Sequence, residues 1–289
     1  MIIKSKNILI TGASTGIGYA LVKVFLKSGY KVFGSVRKQG DADRLEKDFD
    51  SNFKALLFDV TDHDAIDEAA RRLNAEIGSE GLAGLVNNAG IAVAGPFIDL
   101  KMEEFKYQFE VNVFGVIKVT KAFLPLLGAR ENHSTAPGKI IQISSISGRM
   151  GMPFVLPYVG SKHALEGITD SMRRELLLYG IDVVLIEPGP IKTPIWEKSM
   201  DPMLEKFKDS AYYTIMKKSE KKFMEPSLKN AIPADKAAQI IYQEFERKKS
   251  RVRKVIISQK LKNWTLPQLL PSRLLDKVLG KALGLVKSR

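Results

Sequence analysis

Tyr158 and Lys162 stand four residues apart at the start of a helical pattern, and Ser145 lies thirteen residues before the tyrosine, at the end of the alternating run KIIQISS. Residues four apart share a helix face. A phenol beside a fixed ammonium is expected to have its pKa drawn below the usual value of about 10, because the cation favours the phenolate. Such a tyrosine can give and take protons near neutral pH. The Ser145 hydroxyl, brought alongside by the Gly/Pro-containing loop SSISGRMGMPFVLP, can hold the oxygen that the proton comes from. The Tyr-x-x-x-Lys spacing occurs three times, at Tyr19/Lys23, Tyr158/Lys162 and Tyr213/Lys217. Thirteen residues before Tyr19 is Lys6 and before Tyr213 is Met200, so only the Tyr158 pair has a hydroxyl in place.

A second cluster reads as a nucleotide cradle. The strand-like NILIT leads into GASTGIG and then the helical pattern YALVKVFLKSG, so Gly12, Gly16 and Gly18 fall at a strand-to-helix turn. Glycines there let backbone N–H groups approach a pyrophosphate, and the helix N-terminus adds partial positive charge. The next strand, Tyr30 to Val36, ends in Arg37-Lys38, where an NAD site would carry an acid for the ribose 2′-hydroxyl. Two cations suit a 2′-phosphate, and Ser14 can add a hydroxyl donor. The cofactor expected is therefore NADP(H), with Asp41 and Asp43 as alternatives that would reach the ribose.

The elements that must position these residues alternate. NFKALLFDV ends at Asp59-Val60, where a carboxylate and a small apolar residue can flank an adenine ring. LAGLVNNAG ends in Asn88 and Gly90; KIIQIS delivers Ser145; IDVVLIE leads into Pro188, Gly189, Ile191 and Thr193. RVRKVIIS reads as a seventh strand. Strands alternating with helices imply a parallel sheet, which brings all these residues to one edge. A helical pattern from about Met102 to Leu127 carries Asn112 in its interior, where burial requires hydrogen bonds, either to backbone as a structural device or to a water serving the site. Met200, Met203, Leu204, Phe207, Tyr212 and Met216, with Met150, Met152, Phe154 and Leu156, either line an apolar substrate pocket or pack on the body.

Among 289 residues there is no cysteine, which excludes thiol nucleophiles and Cys-based metal sites, and His63, His133 and His163 lack metal-ligand spacing, so no metal is expected. No secretory leader and no membrane span is expected either. The net charge is +13, of which residues 251–289 carry +9. The body thus gives no reason to expect nucleic acid, and the basicity belongs to the tail. From Leu261 to Arg289 the tail spaces leucines at helical intervals among cations that include Lys287 and Arg289. Such a segment lies on an anionic membrane surface or packs against the domain or a second subunit.

TGASTGIG, Asp59, NNAG at 87–90, Asn112, Ser145, YVGSK at 158–162 and PGPIKT at 188–193 together resemble a short-chain dehydrogenase/reductase, nearest the hydroxysteroid and retinol dehydrogenase-like branch. The resemblance covers about residues 5–257; the tail and the segment 131–137, taken as a loop insertion, lie outside it. It implies an α/β single-domain Rossmann fold, with a doubly wound seven-stranded parallel sheet and helices on both faces. Residues 1–257 would form the dinucleotide-binding and catalytic domain, with a substrate lid at about 194–224, and 258–289 a basic amphipathic extension.

In the roles implied by the resemblance, Tyr158 is the acid or base, Ser145 binds the reacting oxygen, and Asn112 holds a relay water. Lys162 lowers the tyrosine pKa and binds the nicotinamide ribose. Gly12, Gly16, Ile17 and Gly18 meet the phosphates, Arg37 the 2′-phosphate, Asp59 and Val60 the adenine, Asn88 the adjacent ribose, and Ile191 and Thr193 the nicotinamide amide. The function expected is NADP-dependent interconversion of a secondary alcohol and a carbonyl on a lipophilic small molecule, by a cytoplasmic homodimer or homotetramer or one held at a membrane surface by its tail. The alternatives are a non-catalytic NADP-binding sensor and a membrane-surface protein using the same fold.

Overall fold

The computed structural model describes residues 4–49, 51–130, 135–195, 203–221 and 225–286. Strands β1 (Asn7–Ile10) and β4 (Gly84–Asn87) are buried throughout, as near-continuous apolar runs are when helices cover both faces of a parallel sheet. With β2 (Lys31–Val36), β3 (Phe53–Leu57), β5 (Lys139–Ile143), β6 (Asp182–Pro188) and β9 (Arg253–Ile256) they form one parallel sheet of seven strands. Its order is β3-β2-β1-β4-β5-β6-β9, so the chain reverses direction across the sheet between β1 and β4. Ligands of open α/β sheets bind at such a reversal, beyond the carboxyl ends of the strands. Two short strands, β7 (Ile191–Lys192) and β8 (Ile232–Pro233), make a separate pair.

Side chains alternate across the sheet. Ile8, Ile10, Val86 and Val184 pack with Leu21 and Phe25 of α1 (Gly16–Lys27), Leu45 of α2 (Gln39–Asp48) and Ile241 of the helix Ala234–Phe245. Leu9, Leu85 and Val183 point the other way, to Ile66 and Leu73 of α3 (His63–Ile77) and to Val119 and Phe123 of α5 (Gly115–Phe123). The doubly wound fold expected from the sequence is present.

The long helical pattern proves composite. α4 (Met102–Phe109) and α5 are joined by a π-helical turn, Glu110–Phe114, with Asn112 at its centre. α6 (Leu156–Glu175) begins with Pro157 in its first turn, where the missing N–H has no partner to lose, and carries Tyr158 and Lys162. Of the expected lid, residues 196–202, Met200 among them, and 222–224 lie outside the described residues, as do 131–134 of the expected insertion, His133 included, and Lys287 and Arg289 of the tail. No helix among the described residues is long and apolar enough to cross a membrane.

Candidate active site

A cleft of about 610 Å³ opens at the β1/β4 reversal. Gly12, Ser14, Gly16 and Ile17 line one side; Arg37, Asp59 and Val60 lie at the ends of the outer strands; Asn88 and Gly90 form part of its floor. Ser145, Tyr158 and Lys162 stand at the other end, with Pro188, Gly189, Ile191 and Thr193 closing it. Gly18 and Asn112 do not line the cleft, and each acts on a neighbour that does.

Gly18 is there because the turn is tight. A Cβ at this position would sit 2.1 Å from the Gly12 carbonyl oxygen and 2.7 Å from Asn88 Nδ2. Asn88 Nδ2 donates to the carbonyls of Thr11 (2.9 Å) and Gly12 (3.1 Å), tying β4 to the glycine turn. The Thr11 hydroxyl accepts from the backbone N–H groups of Asn88 (2.9 Å) and Ala89 (3.0 Å), a clamp that sequence reasoning did not single out. Gly12 itself has φ +67°, and its Cβ would meet the Ala89 Cα at 2.9 Å. Arg44, also missed, donates to the Ser14 carbonyl at 2.8 Å and pairs with Asp41 at 3.3 Å, which takes Asp41 up as an ion-pair partner. Asp43 accepts from Gln39 Nε2 at 2.7 Å. Arg37 is more than half exposed and lies 3.6 Å from Asp59, whose other oxygen accepts from Thr61.

At the far end Tyr158 and Ser145 are buried and share a side-chain hydrogen bond. Ser145 Oγ also accepts from the Ser147 N–H at 3.0 Å, which fixes it at the mouth of the loop. Lys162 Nζ lies 5.7 Å from the Tyr158 ring centre and donates to the Ile143 carbonyl at 2.8 Å. Ser145, Tyr158 and Lys162 meet at one cleft, but the phenol shifts in the direction opposite to the one that the Tyr158–Lys162 spacing suggests. Burial pushes the Tyr158 phenol up, and the hydrogen bond from Ser145 is what pulls it back. Burial likewise lowers the Lys162 ammonium to about 8, with the charge of Glu166 opposing it. In a dry pocket the cost of holding charge outweighs the attraction that helix spacing suggests.

Asn112 is hydrogen-bonded to backbone. Its Oδ1 accepts from the Ile91 N–H at 2.9 Å, and its Nδ2 donates to the Ile91 carbonyl at 3.0 Å. Gln108, wholly buried and absent from the sequence reading, does the same for the next stretch. It accepts from the Val93 N–H at 2.6 Å and donates to the Ile91 carbonyl at 3.0 Å. The two amides hold the strand-end loop that forms the cleft wall, and Ser161, which donates to the Tyr158 carbonyl at 2.8 Å, receives the remaining Asn112 N–H at 3.3 Å. The signal that could have found Gln108 is its position four residues before Asn112.

Ile91, Val93, Ile146, Pro194 and Ile195, with Tyr107, give the cleft an apolar part of its lining. Of the two alternatives open to the methionines and aromatics, Met203, Phe207 and Met216 take the packing one. Met203, Phe207 and Met216 are buried against Ala94, Leu100, Phe154 and Tyr212, forming a roof that packs on the body. Phe154 has φ +67°, an uncommon conformation for a residue with a Cβ, and its carbonyl accepts from the Gly95 N–H at 2.7 Å.

Behind the loop lies a buried charge cluster. Glu187, immediately before Pro188 and 1% exposed, approaches Arg253 at 3.4 Å, while Arg253 also binds Glu166 (3.0 Å) and Asp170 (2.7 Å). Burial first, then the Glu166 charge, raises the Glu187 carboxyl to about 7, against the pull of Arg149, Arg253 and Lys260. Below its unfolded value of 4.5 both states hold the proton; between there and about 7 the folded state holds more, so stability falls as pH rises through that window. Glu187→Gln removes this dependence. Thermal unfolding from pH 5 to 8 should show the variant gaining on the wild type by up to ~3 kcal/mol at the alkaline end, and parallel curves would discard the assignment.

Comparison with known proteins shows the family of the chain. Residues 6–203 match the family of the short chain dehydrogenases. The chain is 43% identical over 275 residues to the NADPH-dependent 3-dehydrocapnine reductase of Ornithobacterium rhinotracheale, which covers 95% of this chain and 96% of that one. It is 34% identical over 188 residues to retinol dehydrogenase 16 of Mus musculus, covering 65% of this chain and 57% of that one. The solved structure of ElxO with NADP bound matches with a TM-score of 0.69 at 28% identity, over 88% of this chain and 96% of that one.

Proposed function

Because this chain belongs to the short-chain dehydrogenase/reductase family and is an oxidoreductase of that family, we propose that it uses NADPH to reduce the carbonyl of a lipophilic substrate to an alcohol. The observation that carries this reading is the pair of hydrogen-bonded hydroxyls, Ser145 and Tyr158, in a partly apolar cleft whose opposite end carries Arg37 and Lys38. The glycine turn fits a dinucleotide, since Gly12 and Gly16 line the cleft and the turn that holds them is too tight to take a Cβ at Gly12 or Gly18. The reductase of Ornithobacterium rhinotracheale and the NADP-bound ElxO support the choice of cofactor, and the apolar part of the cleft lining supports the choice of substrate.

The bound dinucleotide supplies the hydride. The protein's part is the proton. Ser145 donates a hydrogen bond to the carbonyl oxygen, and Tyr158 Oη transfers its proton to that oxygen as negative charge develops there. Burial keeps Tyr158 protonated until then. Lys162, anchored on Ile143, places an ammonium beside the phenolate left behind and favours it. Asn112 and Gln108 act by fixing the cleft wall.

Arg37 and Lys38 are assigned to the 2′-phosphate, with Arg37 the stronger because a guanidinium binds phosphate in two-pronged fashion. With 3-dehydrocapnine and a panel of apolar ketones as substrates, Arg37→Ser should shift the ratio of kcat/KM for NADPH over NADH by ~30-fold or more toward NADH, the loss of one to two charge-assisted hydrogen bonds. Serine avoids placing a second carboxylate beside Asp59. An unchanged ratio would reject the assignment, and no NADPH oxidation with any carbonyl would reject the function.

A further inference from the structure

The C-terminal segment is anchored at Trp264 and Leu283 and leaves a row of apolar side chains exposed. Trp264 and Leu283 are buried, while Leu261, Leu266, Leu269, Leu274 and Val278 are 46–73% exposed. On the helix Ser272–Leu283 the half-buried Leu275, Leu279 and Ala282 face inward, where the helix lies against the roof helix Tyr213–Ser219. Leu274 and Val278, four apart, form an outer apolar row; Arg273, Lys277 and Lys281, also four apart, form an exposed row of cations beside it. From Lys260 to Val286 the only acid is Asp276. The roof helix continues the charge with exposed Lys217 and Lys218.

We propose that this face docks on the surface of a bilayer that carries anionic lipid headgroups. A row of leucines and valine left in water marks an interaction surface. Charge decides the occupant: a second copy would bring one row of cations against another, whereas lipid phosphates complement the cations while the leucines enter the boundary between headgroups and acyl chains. The long stems of Lys277 and Lys281 let their ammonium groups stay at the level of the phosphates. Docking brings the roof helix Tyr213–Ser219 toward the lipid surface, because the helix Ser272–Leu283 lies against it, and Met216 on that helix packs with Met203, Phe207 and Phe154. This docking is independent of the reductase reading.

The test measures binding and not turnover. Full-length protein is sedimented with vesicles of phosphatidylcholine alone and of phosphatidylcholine mixed with phosphatidylglycerol. The protein should partition onto the mixed vesicles and stay in solution with the neutral ones. Leu269→Ser, Leu274→Ser and Val278→Ser combined should lower that partition by at least ~tenfold, and Arg273→Gln, Lys277→Gln and Lys281→Gln combined should abolish the preference for the mixed vesicles. Reduction of a water-soluble carbonyl should be unchanged in both variants, since none of these residues lines the cleft. Equal partition of wild type and leucine variant, or no partition onto the mixed vesicles, overturns the proposal. So does a dimer that the leucine variant dissolves while vesicle binding is unaffected, which would give the face to a second copy.

Discussion

Tyr158→Phe will lower NADPH-dependent carbonyl reduction by ~10²–10⁴-fold, with the loss in kcat. The substitution removes one oxygen from a buried ring and leaves the Ser145 hydroxyl, the Lys162 anchor on Ile143 and the glycine turn as they are. Cofactor binding, read by fluorescence of the reduced nicotinamide, should therefore change by no more than about threefold, against the much larger loss expected when a positioned general acid is deleted. Turnover within about threefold of wild type across the substrate panel would mean that the proton comes from elsewhere, and the role given to Tyr158 would be withdrawn.

Gly18→Ala will cost most in cofactor affinity. The added methyl has to displace the Gly12 carbonyl, 2.1 Å away, or the Asn88 amide, 2.7 Å away. Either movement breaks the bonds by which Asn88 holds Thr11 and Gly12. Overpacking at ~1–3 kcal/mol and the lost hydrogen bonds at ~1 kcal/mol each predict a melting temperature lower by roughly 5–10 °C. They also predict NADPH binding weakened by ~30-fold or more. Gly40→Ala provides the control, since its Cβ on α2 meets nothing within 4 Å and alanine is the better helix former. That change should leave affinity alone and raise stability slightly. If Gly18→Ala matched Gly40→Ala in both measurements, the tight turn could not be what shapes the nucleotide cradle.

The sheet and the ends of its strands were legible because they rest on local, periodic signals. Apolar runs bounded by glycine and asparagine gave the strands, and parallel order then carried Gly12, Asn88, Ser145 and Pro188 to one edge without any knowledge of distance. What could not be read depends on how far a side chain is from water. The Tyr158–Lys162 spacing is visible in the sequence, but the desolvation that reverses the expected direction for the phenol is a property of the folded pocket. Gln108 and Arg44 are single residues with no motif around them, and their importance lies in the backbone groups they bind. The Glu187–Arg253–Glu166 cluster joins residues far apart in the chain, which spacing within one helix or strand cannot reveal. The roof methionines were correctly marked as adaptable, and only three dimensions could decide that they pack on the body instead of lining the cleft.

The π-helical turn at Glu110–Phe114 inserts one residue more than an α-helical turn of the same rise would contain. Each residue turns a helix by about 100°, so this surplus residue sets the rotational phase between everything before it and α5. Gln108 before the turn and Asn112 within it both donate to the Ile91 carbonyl. Deleting a single residue from the turn would leave a more regular and better hydrogen-bonded helix, yet rotate Gln108 and Tyr107 away from the wall they shape. The irregularity is thus a gearing between scaffold and site, and perfecting the helix would disengage it.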